Sequence, residues 1–117
     1  MMRFRGLLVV VALALGLSSC AWLARSSVSG DQPAVEGNGA STRPSLSQGG
    51  RFVAFQSVAT NLVPSDTNAV SDVFVRDNVA RTTERVSVAN DGTQGNGPSL
   101  APAISDDGRF VAFETDA

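Results

Sequence analysis

The chain has no histidine, no lysine and a single cysteine among its 117 residues. Without histidine there is no Ser-His-Asp or Cys-His constellation to activate a nucleophile, and zinc loses its commonest nitrogen ligand. One thiol cannot close an internal disulfide, so no covalent bridge staples the chain to itself. All nine basic residues are arginines, and beyond Cys20 seven of them face eleven acids, a net charge of −4. Nucleic-acid binding needs clustered positive charge to neutralise phosphates, so that class of partner is excluded. Catalysis falls to carboxylates alone, and a glycosidase-like pair needs two of them at a defined separation across a bound sugar. No spacing singles out such a pair, and the segment is read as non-catalytic.

The one long apolar run lies at the start. Residues 1–19 carry Arg3 and Arg5, then an apolar stretch from Leu7 to Leu17, then two serines. This is the three-part layout of a secretory signal, and the stretch falls short of the roughly 18 residues that a spanning helix needs. Its end, "LSSC", resembles the lipobox of bacterial lipoproteins, in which the thiol of the cysteine is lipidated and becomes the first residue. The resemblance implies lipidation at Cys20 and export to a bacterial membrane, on the periplasmic or extracellular face. An ordinary signal with a stray cysteine and an uncleaved anchor are the alternatives. Ala21 in place of an aspartate favours onward transport where an outer membrane exists. Residues 20–35 then form a serine- and glycine-containing tether, with Trp22 placed to rest at a membrane interface.

The rest is a repeat. "RFVAF" stands at 51–55 and again at 109–113, an offset of 58 residues. At that offset Gly37, Asn38, Gly39, Ser41, Pro44, Ser47 and Gly50 meet Gly95, Asn96, Gly97, Ser99, Pro102, Ser105 and Gly108. Within one period the pattern reads as four strands. "PSLS" (44–47) starts with a proline, as strand starts tolerate. "RFVAFQS" (51–57) and "DVFVRD" (72–77) are apolar runs suited to burial on both faces. "TERVSVA" (83–89) alternates, with Val86 and Val88 turned inward. "QGG" and "DDG" before the two RFVAF copies supply the positive φ of tight turns. At the same offset Val28 and Ser29 align with Val86 and Ser87, so residues 26–30 are a candidate closing outer strand.

Four short strands per period near 50 residues is a propeller-blade signature. On "APAISDDGRFVAFET" and "DVFVRD", residues 36–117 resemble the WD-repeat-like blades of TolB-type β-propellers. The resemblance implies an all-β fold of four-stranded antiparallel β-propeller blades. At 58 residues per blade, the 98 residues from Cys20 to Ala117 make about 98/58, or one and two-thirds, blades. Rings have about 4–8 blades, so the expectation is an N-terminal portion of a longer propeller, with ring assembly from short chains as the alternative. By resemblance the function is a binding scaffold at the cell envelope for a protein, peptide or glycan. The alternative is the propeller part of a larger enzyme, a peptidase or polysaccharide lyase with catalytic residues beyond Ala117.

Two constellations remain. In "PSDTNAVSD" the oxygens of Asp66, Asn68 and Asp72 fall at alternate positions as in calcium loops, but Val70 interrupts the set and no glycine follows. The competing reading is a loop whose Asp66 and Asn68 accept backbone amides in Asx turns, with no cofactor. Arg51 and Arg109 are expected to lay their stems over neighbouring residues and pair with acids such as Asp77 or Asp107.

Overall fold

The computed structural model describes residues 8–11, 22–30 and 34–117, with side chains for 26–30 and 34–117. Cys20 and most of the expected signal segment lie outside the described residues. The described chain is all-β: β1 (Leu8–Val11), β2 (Trp22–Arg25), β3 (Ser41–Leu46), β4 (Phe52–Ser57), β5 (Asp72–Asp77), β6 (Thr82–Arg85), β7 (Ser99–Ile104) and β8 (Val111–Thr115). A single 3-10 turn at Gln48–Gly50 is the only helical element among the described residues, and no described helix is long and apolar enough to cross a membrane.

β3 to β6 form one antiparallel sheet in sequential order, while β7 and β8 pair in a second sheet and β1 and β2 in a third. The apolar run of β4 explains its central place: Val53, Ala54 and Phe55 are all at 0% exposure, as the expectation of burial on both faces required. Phe55 and Phe74 stack at 5.9 Å between ring centroids, and Val53, Ala59 and Leu62 complete the core with them.

The second unit repeats the first in detail. Each inner strand breaks its register at the same place, between Thr42 and Ser45 in β3 and between Leu100 and Ala103 in β7. The bulged residues Arg43 (φ 53°) and Ala101 (φ 51°), 58 apart, both take the left-handed conformation. Gly39 and Gly97 recur because the backbone passes directly over them: a Cβ would come within 2.8 Å of Ala59 N in one copy and of the Asp116 carbonyl carbon in the other.

The two units are bonded face to face. Gln56 Oε1 accepts from Ala101 N (2.8 Å), the amide that the bulge sets free, and Ser45 Oγ accepts from Ile104 N (3.1 Å). Gln48 N donates to Asp106 O (2.9 Å), and Gly108, at φ 73°, lies where any Cβ would overlap the Phe52 ring.

Two expectations need correction. The outer strand does not continue in phase to residue 89: Val86 N still reaches Val73 O, but Val88 N turns back to Val86 O. The alternation ends there, so Ser87 is buried at 3% and Val88 is 39% exposed. The alignment of residues 26–30 also shifts by two. Val28 bridges to Glu36 and Val88 to Gln94, while Ser29 N donates to Val35 O and Ala89 N to Thr93 O. Val28 therefore corresponds to Val88, not Val86, because the loop that follows it is two residues longer. The same offset of 60 equates β2 with β6, and the pairing Leu8↔Arg25 repeats Phe74↔Arg85.

Candidate functional site

Short turns close one end of the four-stranded unit, and long loops cover the other. The loops 34–40, 58–71 and 86–98 are stitched by side-chain amides. Asn38 N donates to Asn61 Oδ1 (2.9 Å), Asn61 Nδ2 to Glu36 O (2.8 Å) and Asn38 Nδ2 to Thr60 Oγ1 (2.9 Å). Between the next two loops Asn68 Nδ2 donates to Gly95 O (3.0 Å), and Gln94 Nε2 to Asp66 Oδ1 (2.9 Å). Polar loops held in this way on a rigid sheet are the usual place for recognition.

Beneath them lies a buried polar cluster, and it gathers two of the three calcium candidates. Asp72 is wholly buried; its Oδ1 accepts from Ser87 Oγ (2.7 Å), and Ser87 Oγ in turn accepts from Val73 N (3.1 Å). Asp66 lies 3.6 Å from the Arg85 guanidinium, with side-chain exposures of 4% and 11%. Burial pushes the Asp66 carboxyl above the usual carboxylate range; the negative charge of Asp72 adds to this, and Arg85 and Gln94 pull the other way. Asn68 stands apart: its Oδ1 accepts from Val70 N (3.1 Å), the expected Asx turn, while Asp66 takes a side-chain amide instead. Arg85 is the charge partner that sequence reasoning missed. Its 11-residue distance from the nearer of Asp66 and Asp72 in the chain hides a contact made only by strand pairing.

Beside this cluster opens a cleft of about 500 Å³ lined by Ser87, Gln94, Gly95, Phe113 and Ala117 among others. Its counterpart in the first unit is filled. There Leu62, 1% exposed, packs with Phe55 and Ala59 and lies 3.2 Å from a Cβ position on Gly37.

The two arginines beside the turns behave differently. Arg51 bonds Asp77 (Nη2 to Oδ2, 2.9 Å) and lies over Phe52, 4.8 Å from the ring centroid. Asp77 also accepts from Val79 N and Ala80 N, and the Arg51 guanidinium foremost holds its carboxyl at about 2. Arg109 lies over Phe110 at 5.4 Å but makes no ion pair among the described residues. The expected Asp107 partner accepts instead from Ser105 Oγ and from the Arg109 backbone N–H, because the tight turn draws its carboxylate inward.

Compared with known proteins, the chain matches no family model, no curated protein and no solved structure.

Proposed function

We propose that the chain is a lipid-anchored repeat protein of the TolB-like β-propeller type, serving as a non-catalytic binding scaffold at the bacterial cell envelope. The observation that carries this reading is the face-to-face repetition of one unit, with bulge, turn glycine and close-approach glycine all recurring 58 residues apart. Units that bury their apolar faces on their neighbours in this way form arrays whose loops share one rim. The rim here is the amide-stitched loop end, which suits a protein, peptide or glycan partner. The anchor is Cys20, through the "LSSC" sequence.

Labelling with radioactive palmitate in a bacterial host tests the anchor, with Cys20→Ala as the control. Label in the native chain alone, together with its recovery in the membrane fraction, supports the reading. Equal label in both chains removes the anchor from it.

A further inference from the structure

The two copies of Arg-Phe-Val-Ala-Phe are the same five residues in different surroundings. In β4 Val53, Ala54 and Phe55 are buried, whereas in β8 Ala112 is exposed and Val111 and Phe113 are only half-buried. The difference follows from pairing. β4 lies between β3 and β5, while among the described residues β8 has β7 as its only sheet partner.

The free side of β8 is a complete hydrogen-bonding edge. Phe110 directs its C=O to Ser105 N (2.9 Å) and its N–H to Ser105 Oγ (3.0 Å), both toward β7. By the alternation of an antiparallel strand, Val111, Phe113 and Thr115 turn their N–H and C=O groups to the open side. Such an edge is a template for a further strand.

Two further features restrict what fits there. Phe113 and Ala117 line the cleft, and their counterparts Phe55 and Ala59 hold the ring of Phe74 in the first unit's core. The cleft thus presents the wall on which an incoming aromatic ring would stack. Arg109, unpaired among the described residues, is the counterpart of Arg51, whose partner Asp77 ends the strand opposite Phe52. A carboxylate at the end of an incoming strand would meet it.

We infer that the β8 edge binds an extended segment of the type Asp-Val-Phe-Val-Arg-Asp from a partner polypeptide. The segment runs antiparallel to β8, with its phenylalanine opposite Phe113 and its final aspartate at Arg109. The register follows from β4 and β5, where Phe55 faces Phe74 and Phe52 faces Asp77. This names a partner class for the scaffold and rests on that reading for its setting, but its geometry is independent of the lipid anchor.

The test adds a synthetic peptide of residues 71–78 to the full chain and follows amide hydrogen exchange and calorimetric titration. Expected is saturable binding with protection of Val111, Phe113 and Thr115 by about tenfold or more. Arg109→Gln weakens binding by about twofold to fivefold, the range of an exposed ion pair, and a peptide with Phe74→Ala binds at least ten times more weakly. No binding, protection elsewhere than β8, or an unchanged affinity for the Phe74→Ala peptide overturns the inference. So does protection of β8 without peptide that disappears on dilution, which would assign the edge to a second copy of the chain. Loss of palmitate label with intact peptide binding would sink the anchor and spare the edge; the reverse result would do the opposite.

Discussion

Truncating the same letter in the two copies of RFVAF should have unequal consequences. Phe55 is at 0% exposure and stacks on Phe74, in a cluster with Val53, Ala59 and Leu62. Phe55→Ala removes the transfer energy of a whole ring and leaves a cavity that the rigid central strand cannot fill, a loss of about 3–5 kcal/mol. The lost ring pair adds about 0.5–1.5 kcal/mol. Against a total stability of about 5–15 kcal/mol for a domain, that change alone brings the fold close to its limit. Phe113→Ala removes a half-buried ring that already borders an open cleft. Little new cavity is made, so the cost is about 1 kcal/mol, from the part of the ring removed from water. Urea unfolding followed by far-UV circular dichroism reads both values. Where the midpoint of Phe55→Ala falls too low to fit, Phe55→Leu, at about 1–1.5 kcal/mol, gives a measurable baseline. Equal losses at the two positions would refute the reasoning, because they would mean that β8 is covered in solution as fully as β4.

Other perturbations test other contacts. Gly49→Ala meets no atom within 4 Å and carries only the strain of its φ of 76°, about 1 kcal/mol. Gly108→Ala has a similar φ but also collides with the Phe52 ring, so thermal unfolding should show a loss at least about 2 kcal/mol larger; equal losses would mean that the two units do not meet there. Arg85→Ala leaves the buried Asp66 and Asp72 facing each other without a cation and should cost about 3 kcal/mol, whereas Asp66→Asn keeps an amide in the same place and should change stability by less than about 1 kcal/mol. Asp77 titrates at about 2 instead of 3.8, so the stability it contributes is present above about pH 4 and is lost as pH falls toward 2; Asp77→Ala flattens that acid limb and, after allowance for the exposed Arg51, costs about 1 kcal/mol. Asp66 has the opposite sign. Its carboxyl is raised by burial, so protonation relieves the folded state, and in Asp66→Asn the native chain's small gain in stability at mildly acidic pH disappears.

The strands were legible because burial on two faces requires an unbroken apolar run, and "RFVAF" and "DVFVRD" each spell one. The turn glycines were legible for the same kind of reason, since Gly49 and Gly108 both adopt the positive φ that their places demanded. The end of the outer strand was not. Val86 and Val88 alternate as a strand should, but Ser87 is drawn inward to Asp72 and breaks the phase. That bond joins residues 15 apart, and no local pattern announces it. The calcium reading failed to anticipate the cluster for a related reason: it weighed oxygens along one loop, whereas the pairing of β5 with β6 brings in Arg85 and Ser87 from another element. Arg109 was read as the twin of Arg51, and its stem does lie on the adjacent ring as Arg51's does. Its carboxylate partner is set by a strand that β8 does not have among the described residues.

The start of the chain shows how far one composition can serve two structures. "LVVV" at Leu8–Val11 is apolar enough for the core of an export signal, and three valines also make it a good strand. In the fold it pairs with β2 in the register by which β5 pairs with β6. Chemically, β1 occupies a third-strand place and β2 an outer-strand place. A cleavage before Cys20 would remove β1 and uncover the edge of β2, just as β8 already exposes its own. Both edges would then call for the same kind of strand, apolar in its middle and able to hydrogen-bond along its whole length. A peptide of the Asp-Val-Phe-Val-Arg-Asp type discriminates between them through Arg109, which only the β8 edge places beside the strand's final carboxylate.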